Sequence, residues 1–134
     1  MDKLKKKPFF QPPVLICPRC GAEAELRDNA DIYNGVSHGL AYICGNFPGC
    51  DTYVGANRRT LLPLGTMADR RTRMLRRQCH ERFDPRWRSG DMSRKAAYAW
   101  MGSVLGLEDP HIGQFDAAQC RRLLAILAAQ IKDP

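Results

Sequence analysis

The sequence of 134 residues lacks any apolar run of the about 18–20 residues that a membrane-spanning helix needs. Its N-terminal stretch has too few apolar residues for a signal peptide, which favours a reducing, cytoplasmic compartment. No nucleotide-binding loop and no local signature of a Ser-His-Asp triad is present. The acidic residues are scattered, whereas a metal-dependent nuclease needs two or three converging carboxylates. We therefore expect a protein that is not an enzyme and that has no membrane partner.

Acidic residues are scarce relative to basic ones. The chain has 14 Asp and Glu against 21 Lys and Arg, which gives a net charge of +7. Residues 58–95 concentrate this charge, with twelve basic residues against four acidic ones. Fifteen of the basic residues are arginine, whose planar guanidinium makes bidentate contacts with phosphate. The charge pattern favours a polyanionic partner, with nucleic acid ahead of membrane.

Four of the six cysteines form two spaced pairs, Cys17 with Cys20 and Cys44 with Cys50. The first pair has the C-x-x-C spacing of a metal-binding turn, and Gly21 follows where the backbone must turn at positive φ. The second pair has the looser spacing C-x5-C. Four thiolates complete a tetrahedral shell and leave no position for water. The spacing therefore predicts one Zn²⁺ ion with a structural role.

Other roles for the cysteines and histidines are less favoured. Two disulfides would need an oxidising compartment, and a redox C-x-x-C expects a βαβ context that the sequence does not show. His38 would be a ligand only if one cysteine were not used, and it lies outside both pairs. Cys79 and His80 are neighbours on a predicted helix and point about 100° apart, so they do not form a catalytic pair. Cys79 and Cys120 are predicted to be buried in the core.

The second cysteine pair lies in the run CGNFPGCD at residues 44–51, which Tyr53 follows. This run resembles the second half of the zinc ribbons at the C-terminus of type IA DNA topoisomerases. The resemblance covers roughly residues 14–57, although the stretch between the two pairs is longer than in most such ribbons. It implies that Phe47 and Tyr53 stack on unpaired bases, while packing in the ribbon core remains an alternative for both rings. The catalytic parts of those enzymes have no counterpart in this chain.

A second resemblance extends over nearly the whole chain. It rests on the segments TLLPLGTMAD at residues 60–69, FDPRW at 83–87, SRKAAYAWM at 93–101 and HIGQF at 111–115. These segments resemble a family of small zinc-finger-containing proteins from bacteria and their phages. The resemblance implies a fold and a bacterial host cell, but no reaction.

The sequence predicts an α+β protein with three parts. Residues 1–13 are predicted to be a basic, proline-containing flexible tail, and residues 14–57 a four-cysteine zinc ribbon with a small antiparallel sheet. Residues 58–134 are predicted to be a basic module of three helices. Ribbon strands are expected near residues 14–16, 22–27, 40–43 and 52–54, because short alternating or β-rich runs lie there.

The predicted first helix covers about residues 66–83. Thr66 is a suitable N-cap, and Asp69 three residues later resembles a capping box. A weak apolar stripe at helical spacing consists of Met67, Met74, Leu75, Gln78 and Phe83. Many arginines and few acidic partners, such as Glu81 for Arg77, make this helix self-repulsive without an anionic partner.

Two further helices have clearer boundaries. The second is predicted to begin at Ser93 and to run to about Leu105, with Gly106 as its C-cap. The third is predicted to begin after Asp116, with Gln119 completing a capping box. Trp87 and Trp100 are expected to pack in the helical core, because rings of this size would otherwise expose much apolar area.

These features together predict an accessory protein that binds nucleic acid, DNA in preference to RNA, with weak sequence preference. The predicted contact residues are seven arginines and two aromatic residues: Arg58, Arg59, Arg70, Arg71, Arg73, Arg76, Arg77, Phe47 and Tyr53. The alternative is a phage-type docking module that binds a host protein of DNA metabolism and modulates or inhibits it.

Overall fold

The structure is a computed structural model that describes residues 10–132, with the side chains of residues 10–130. The chain forms two compact units, Met1–Arg70 and Arg71–Pro134, which we call the ribbon unit and the helical unit. Of the predicted N-terminal tail, residues 1–9 lie outside the described part of the chain. Among the described helices, none combines the length and apolar character needed to cross a membrane.

The described residues of the ribbon unit form one antiparallel sheet of three strands in the order β1-β2-β3. These strands are β1 (Ala24–Asp28), β2 (Leu40–Cys44) and β3 (Tyr53–Gly55). Leu26 pairs with Tyr42, and Tyr42 pairs with Val54, so β2 is the central strand. Every residue of β2 is buried, because neighbouring strands flank both of its edges and apolar side chains cover it. The predicted α+β class is confirmed.

Segments outside the three strands extend the ribbon unit in both directions along the chain. The strand predicted at residues 14–16 is reduced to a single bridge between Ile16 and Glu23. Further bridges join Ala56 to Pro63 and Tyr53 to Ala68. The ribbon unit therefore runs to Arg70, well beyond the ribbon boundary predicted at residue 57.

The core of the ribbon unit is small and contains three of the spaced cysteines. Tyr42 is 1 % exposed at its centre, and its hydroxyl donates a hydrogen bond to the Leu61 carbonyl at 2.6 Å. Val54 and Met67 complete the apolar side of this core. The hydrogen bond to Leu61 satisfies the hydroxyl of this buried ring.

Among its described residues, the helical unit contains one 3-10 turn (Ile112–Gln114) and four α-helices, of which the second is a single turn. They are α1 (Arg70–Phe83), α2 (Pro85–Arg88), α3 (Arg94–Leu105) and α4 (Ala117–Lys132). The Ser93 hydroxyl caps α3 by accepting a hydrogen bond from the Ala96 N–H, and Gly106 ends it at φ 69°. The boundaries predicted for this helix are confirmed.

The beginning of α4 shows the predicted capping box. The Asp116 carboxylate accepts a hydrogen bond from the Gln119 N–H at 2.8 Å, and the Gln119 side chain accepts one from the Asp116 N–H at 2.9 Å. Two donors that would lack a helical partner are thereby satisfied. Cys120 and Leu123 then face the core and are fully buried, as predicted for Cys120.

The prediction for the first helix was wrong at its start. Helix α1 begins at Arg70, four residues after the predicted N-cap at Thr66. Met67 and Ala68 are buried in the ribbon unit, where Ala68 exchanges two backbone hydrogen bonds with Tyr53. The pairing and burial of these residues outweigh the local tendency of a capping box to start a helix.

The predicted apolar stripe of α1 also needs correction. Of the predicted stripe, Met74 and Gln78 are exposed and Leu75 is partly buried, whereas Phe83 is fully buried as predicted. Cys79 is also fully buried, as predicted. Phe83 and Met101 of α3 belong to a core cluster against which both tryptophans pack, partly buried, in agreement with the prediction for those rings. Helix α1 ends at Phe83, where the prediction placed its end, and α2 begins at Pro85.

Candidate metal centre and cationic surfaces

Two tight turns bring the spaced cysteines of the ribbon unit together. In the first, the Gly21 N–H donates to the Cys17 carbonyl at 2.9 Å, and Gly21 has φ 80°, as predicted. In the second, the Phe47 N–H donates to the Cys44 carbonyl at 2.9 Å. Gly45 lies in the second turn, and its N–H donates to the Glu23 carbonyl at 3.1 Å. A Cβ at Gly45 would lie 2.8 Å from the same carbonyl oxygen, so a side chain there would push the Glu23 backbone away.

The four sulfurs form one compact cluster. All Sγ atoms of Cys17, Cys20, Cys44 and Cys50 lie within 4.8 Å of one another. The Cys17–Cys50 separation is 3.7 Å and the Cys20–Cys44 separation is 3.3 Å. Ligands about 2.3 Å from a tetrahedral zinc ion are separated by about 3.8 Å. The cluster therefore has the size of a zinc shell, and the residues fit one structural Zn²⁺.

Backbone and side-chain donors surround these sulfurs. The N–H groups of Arg19 and Cys20 each donate to Cys17 Sγ at 3.4 Å, and the Asn46 N–H donates to Cys44 Sγ at 3.4 Å. Such donors stabilise thiolates over thiols, because they place positive charge density beside sulfur. The turns therefore provide both the position of the ligands and part of their electrostatic environment.

Thr52 is a member of the site that sequence reasoning missed. Its buried hydroxyl lies 2.9 Å from Cys50 Sγ and 3.0 Å from Cys17 Sγ, so it joins ligands from both turns. The only sequence signal is a small hydroxyl residue two positions after Cys50. Residues that hold ligands from outside the shell commonly tune metal affinity.

The thiols differ in how easily they ionise. Burial raises the pKa of Cys17, but hydrogen bonds from Thr52 and from the N–H groups of Cys20 and Arg19 outweigh it and lower the pKa to about 6. Burial raises the pKa of the Cys44 thiol to about 12. A divalent cation among the four sulfurs favours thiolate at every position, so burial of Cys44 is compatible with a metal ligand.

The ring of His38 lies elsewhere in the ribbon unit. It packs edge-on against Tyr33, with ring centroids 5.0 Å apart. Among the described residues, the cluster with metal-ligand geometry consists of the four cysteines alone. None of the six cysteines forms a disulfide.

A short antiparallel sheet carrying a closed four-sulfur cluster, followed by helices, defines an α+β protein with a structural zinc centre. The chain belongs to the family of zinc-finger-containing domains, which it matches over residues 13–130. No curated protein and no solved structure gives a match to the chain.

The predicted arginine contacts of the ribbon unit lie on a well-ordered loop. Arg58 and Arg59 are exposed at its tip. The Asn57 side chain accepts hydrogen bonds from the Arg59 and Thr60 N–H groups at 2.8 and 3.0 Å. The Arg58 guanidinium also donates to the His38 carbonyl at 3.2 Å. The loop therefore holds both arginines at the surface of this unit.

The predicted arginines of α1 fall into two groups. Arg70, Arg71 and Arg77 are exposed, and among the described residues they form no ion pair; Arg77 does not pair with Glu81. Arg73 is partly exposed. Arg76 is partly buried, and its Nε donates to the Phe115 carbonyl at 2.8 Å. Burial lowers the pKa of Arg76, so packing within the helical unit already uses this side chain.

Phe47 and Tyr53 are brought together by the ribbon. Their ring centroids are 6.5 Å apart, in an edge-to-face arrangement, and both side chains are partly exposed. An aromatic pair of this kind stabilises the second turn against β3. Each ring therefore takes part in packing and keeps some surface for a further contact.

Proposed function

We propose that this protein is a zinc-ribbon accessory protein that binds nucleic acid, DNA in preference to RNA, with weak sequence preference and without catalysis. The observation that carries the proposal is a group of three exposed arginines on α1. Among the described residues, Arg70, Arg71 and Arg77 have no acidic partner. Arginines at this density repel one another, and phosphates remove that repulsion. The resemblance to proteins of bacteria and their phages favours a role in phage or bacterial DNA metabolism.

The distribution of charge supports this proposal. The excess of basic residues in residues 58–95 exceeds the net charge of the whole chain, so the remaining residues contribute no net positive charge. Arg58 and Arg59 offer a second pair of guanidinium groups on the ribbon unit. Contacts to phosphate give affinity and strong salt dependence but carry no information on base sequence. Weak sequence preference follows.

The aromatic pair of the ribbon supports a contact with unpaired bases. Phe47 and Tyr53 retain exposed surface beside the metal centre. A base that stacks on an aromatic ring contributes about 1–3 kcal/mol, with little dependence on its identity. We therefore include both rings among the proposed contacts and expect stronger binding to single strands than to duplexes.

The proposal is tested by fluorescence anisotropy of labelled single-stranded DNA, duplex DNA and RNA across a salt series. We expect binding that weakens steeply with salt. The Arg70→Gln, Arg71→Gln double variant should reduce the salt slope on single-stranded DNA by about 1.4, because each lost phosphate contact removes about 0.7. Absence of binding to all three nucleic acids at low salt would contradict the proposal.

The matched control is the Arg121→Gln, Arg122→Gln double variant. Both pairs are consecutive arginines on a helix, both are exposed, and both changes remove the same charge. Arg122 also donates a hydrogen bond to the Leu105 carbonyl at 3.1 Å, so its loss has a small structural component. Equal loss of affinity in the two variants would place the contact away from α1.

A second candidate function has one observation in its favour. Several apolar side chains of the ribbon unit are exposed: Val14, Ile16, Val36, Leu62 and Leu64. Exposed apolar surface of this kind is typical of a protein-binding face. The alternative is therefore a docking module that binds a host DNA-metabolism protein. A protein complex that survives high salt, together with no affinity for nucleic acid, would favour it.

A further inference from the structure

The helical unit has a groove that is formed chiefly by residues other than the nucleic-acid contacts predicted from the sequence. Two cavities of about 490 and 720 Å³ are both lined by Arg94 and Tyr98 of α3. We call them together the Arg94 groove, which is formed chiefly by Trp87, Arg88, Arg94, Lys95, Tyr98 and His111. Each cavity has a volume in the range that small ligands occupy in proteins.

Cationic groups and aromatic rings alternate along this groove. The Arg94 guanidinium carbon lies 4.7 Å from the Tyr98 ring centre and 5.3 Å from the Trp87 ring centre. The Arg88 guanidinium carbon lies 5.3 Å from the Trp87 ring centre. The rings of Tyr98 and His111 are 6.4 Å apart. The groove thus presents planar faces with cations beside them, which is the combination that binds bases and phosphates.

The position of these groups is fixed by the core beneath them. Tyr98 packs edge-on against the fully buried Phe83, with centroids 5.1 Å apart. Arg88 pairs with the buried Asp84 at 3.6 Å. The Ser93 cap fixes the first turn of α3, which carries Arg94. A surface that is already ordered loses less conformational entropy when a ligand binds.

Acidic side chains offset most of the cationic charge of the groove, which comes from Arg77, Arg88, Arg94 and Lys95. Asp84 contacts Arg88 and lies 3.5 Å from His80, and Asp109 lies 3.4 Å from His111. Glu81 is the other acid that lines either cavity. The groove is therefore only weakly cationic, so stacking on its rings must supply more of the affinity than charge does.

We infer that the Arg94 groove binds single-stranded nucleic acid, with unpaired bases stacked on Trp87 and Tyr98 and phosphates beside Arg88, Arg94 and Lys95. This inference rests on the proposed function and adds a second binding site to it. Exposed guanidinium groups now occupy the ring faces, and a base replaces such a group on the same face. An acidic peptide matches the cations but makes less use of two planar rings.

The two tryptophans of the chain allow a direct test. Trp100→Phe leaves Trp87 in the groove as the sole tryptophan, and Trp87→Phe leaves Trp100, which Arg86 covers at 4.0 Å. Each full-length variant is titrated with a 12-nucleotide oligothymidylate while a fluorescein-labelled copy reports binding by anisotropy. We expect quenching of Trp87 emission that saturates together with the anisotropy, and no change in Trp100 emission.

Affinity measurements separate stacking from packing. Trp87→Phe retains an aromatic face and should bind within a few-fold of wild type, whereas Trp87→Leu should lose roughly 5- to 150-fold, the value of one stacked base. Circular dichroism of both variants establishes that the helical unit is folded. Equal affinity of the Leu and Phe variants would overturn the inference.

The remaining outcomes distinguish the two proposals. Anisotropy that saturates without quenching of Trp87 would overturn the groove and leave the proposed function in place. Absence of binding to any nucleic acid would contradict both the groove inference and the proposed function. A polyglutamate peptide that quenches Trp87 while oligothymidylate does not would also overturn the inference and identify the groove as a site for acidic polypeptides.

Discussion

Both units of the molecule bury cysteines, but the surroundings give these cysteines different roles. In the ribbon unit, backbone N–H groups and a threonine hydroxyl point at sulfurs that lie within 4.8 Å of one another. In the helical unit, Cys79 and Cys120 are fully buried among apolar side chains, and the Cys79 thiol donates to the Cys120 carbonyl at 3.5 Å. The hydrogen bond with Cys120 and burial both raise the pKa of Cys79. The number and type of neighbours, not the residue itself, decide whether a cysteine ligates or packs.

The cores of the two units also differ in how many large apolar side chains they contain. In the ribbon unit, the core cluster at the sulfurs joins three cysteines to Tyr42, Val54 and Met67, and Leu40, Ile43 and Leu61 are buried outside this cluster. The helical core contains the larger apolar set of Phe83, Met101, Ile112, Phe115, Leu123 and Leu127. Small apolar cores supply little stability, and a metal commonly provides the rest. We therefore expect zinc to determine the stability of the ribbon unit and apolar packing that of the helical unit.

The largest effect should follow removal of zinc. Structural zinc contributes roughly 10–16 kcal/mol of apparent binding free energy at pH 7, which is coupled to folding. Chelation should therefore abolish the NMR dispersion of the ribbon unit while α3 and α4 retain their helical shifts. Mass spectrometry of the untreated protein should give one Zn²⁺ per chain.

Single cysteine variants provide the control for chelation. Cys44→Ser should lose zinc, whereas Cys120→Ser should retain it, because Cys120 packs in the helical core. A metal-free protein with unchanged ribbon shifts would show that the sulfur cluster is not the source of stability.

A substitution in the helical core should affect only the helical unit. Phe83→Ala removes a fully buried ring and should lower the free energy of unfolding by about 3–5 kcal/mol. Zinc content should stay at one ion per chain. Denaturant titration followed by circular dichroism measures the loss, and Met74→Ala, on the exposed face of the same helix, serves as the control. Loss of zinc in the Phe83 variant would mean that the two units are not independently stabilised.

The parts of the structure that were predictable depend on residues close together in the sequence. The sulfur cluster follows from the spacing of Cys17, Cys20, Cys44 and Cys50, and the ends of α3 follow from Ser93 and Gly106. In each case the interacting groups lie within a short turn or repeat a fixed spacing. Local chemistry is then sufficient, because few alternative partners compete for the same groups.

The parts that were missed depend on partners distant in the sequence. Thr66 and Asp69 suggested a helix start, but pairing of Ala68 with Tyr53 holds this segment in the ribbon unit. Arg76 belongs by sequence to the basic face, yet it bonds to Phe115, which lies 39 positions away. Whether an arginine is at the surface depends on which helix packs beside it, and sequence periodicity does not specify that partner.

The Arg94 groove illustrates the same limit. The run Arg86-Trp87-Arg88 was a visible sign of interleaved cations and rings. The size of the Trp87 ring predicted core packing, and the ring does pack against the core while Arg88 and Arg94 lie over its face. One indole ring can pack against the core and also contact cations at the surface, because it has two faces and the core covers only part of it.

A smaller effect on the ribbon unit should come from Thr52→Val. Valine has nearly the same shape but no hydroxyl, so the sulfurs of Cys17 and Cys50 lose the hydrogen-bonding group that they share. Loss of such an outer partner lowers metal affinity by about 10- to 100-fold. Competition with a chromophoric chelator measures this affinity.

Thr52→Ser retains the hydroxyl and should bind zinc more tightly than the valine variant. If the two variants bind zinc equally, the hydroxyl contributes nothing and the turn N–H groups alone set the affinity. The spacing of the sulfurs, and not the polar groups around them, would then distinguish the cysteines of the ribbon unit from those of the helical unit.

The smallest effect should come from the cap of α3. Ser93→Ala removes the acceptor for the Ala96 N–H and should cost about 1 kcal/mol of stability in the helical unit. Ser103→Ala is the matched control, because this exposed serine lies within the same helix and alanine is the better helix former there. Denaturant midpoints of the two variants measure the difference. Because the ribbon unit is expected to depend on zinc, its metal affinity should be the same in both; a change in affinity with Ser93→Ala would show that order in α3 extends to the metal centre.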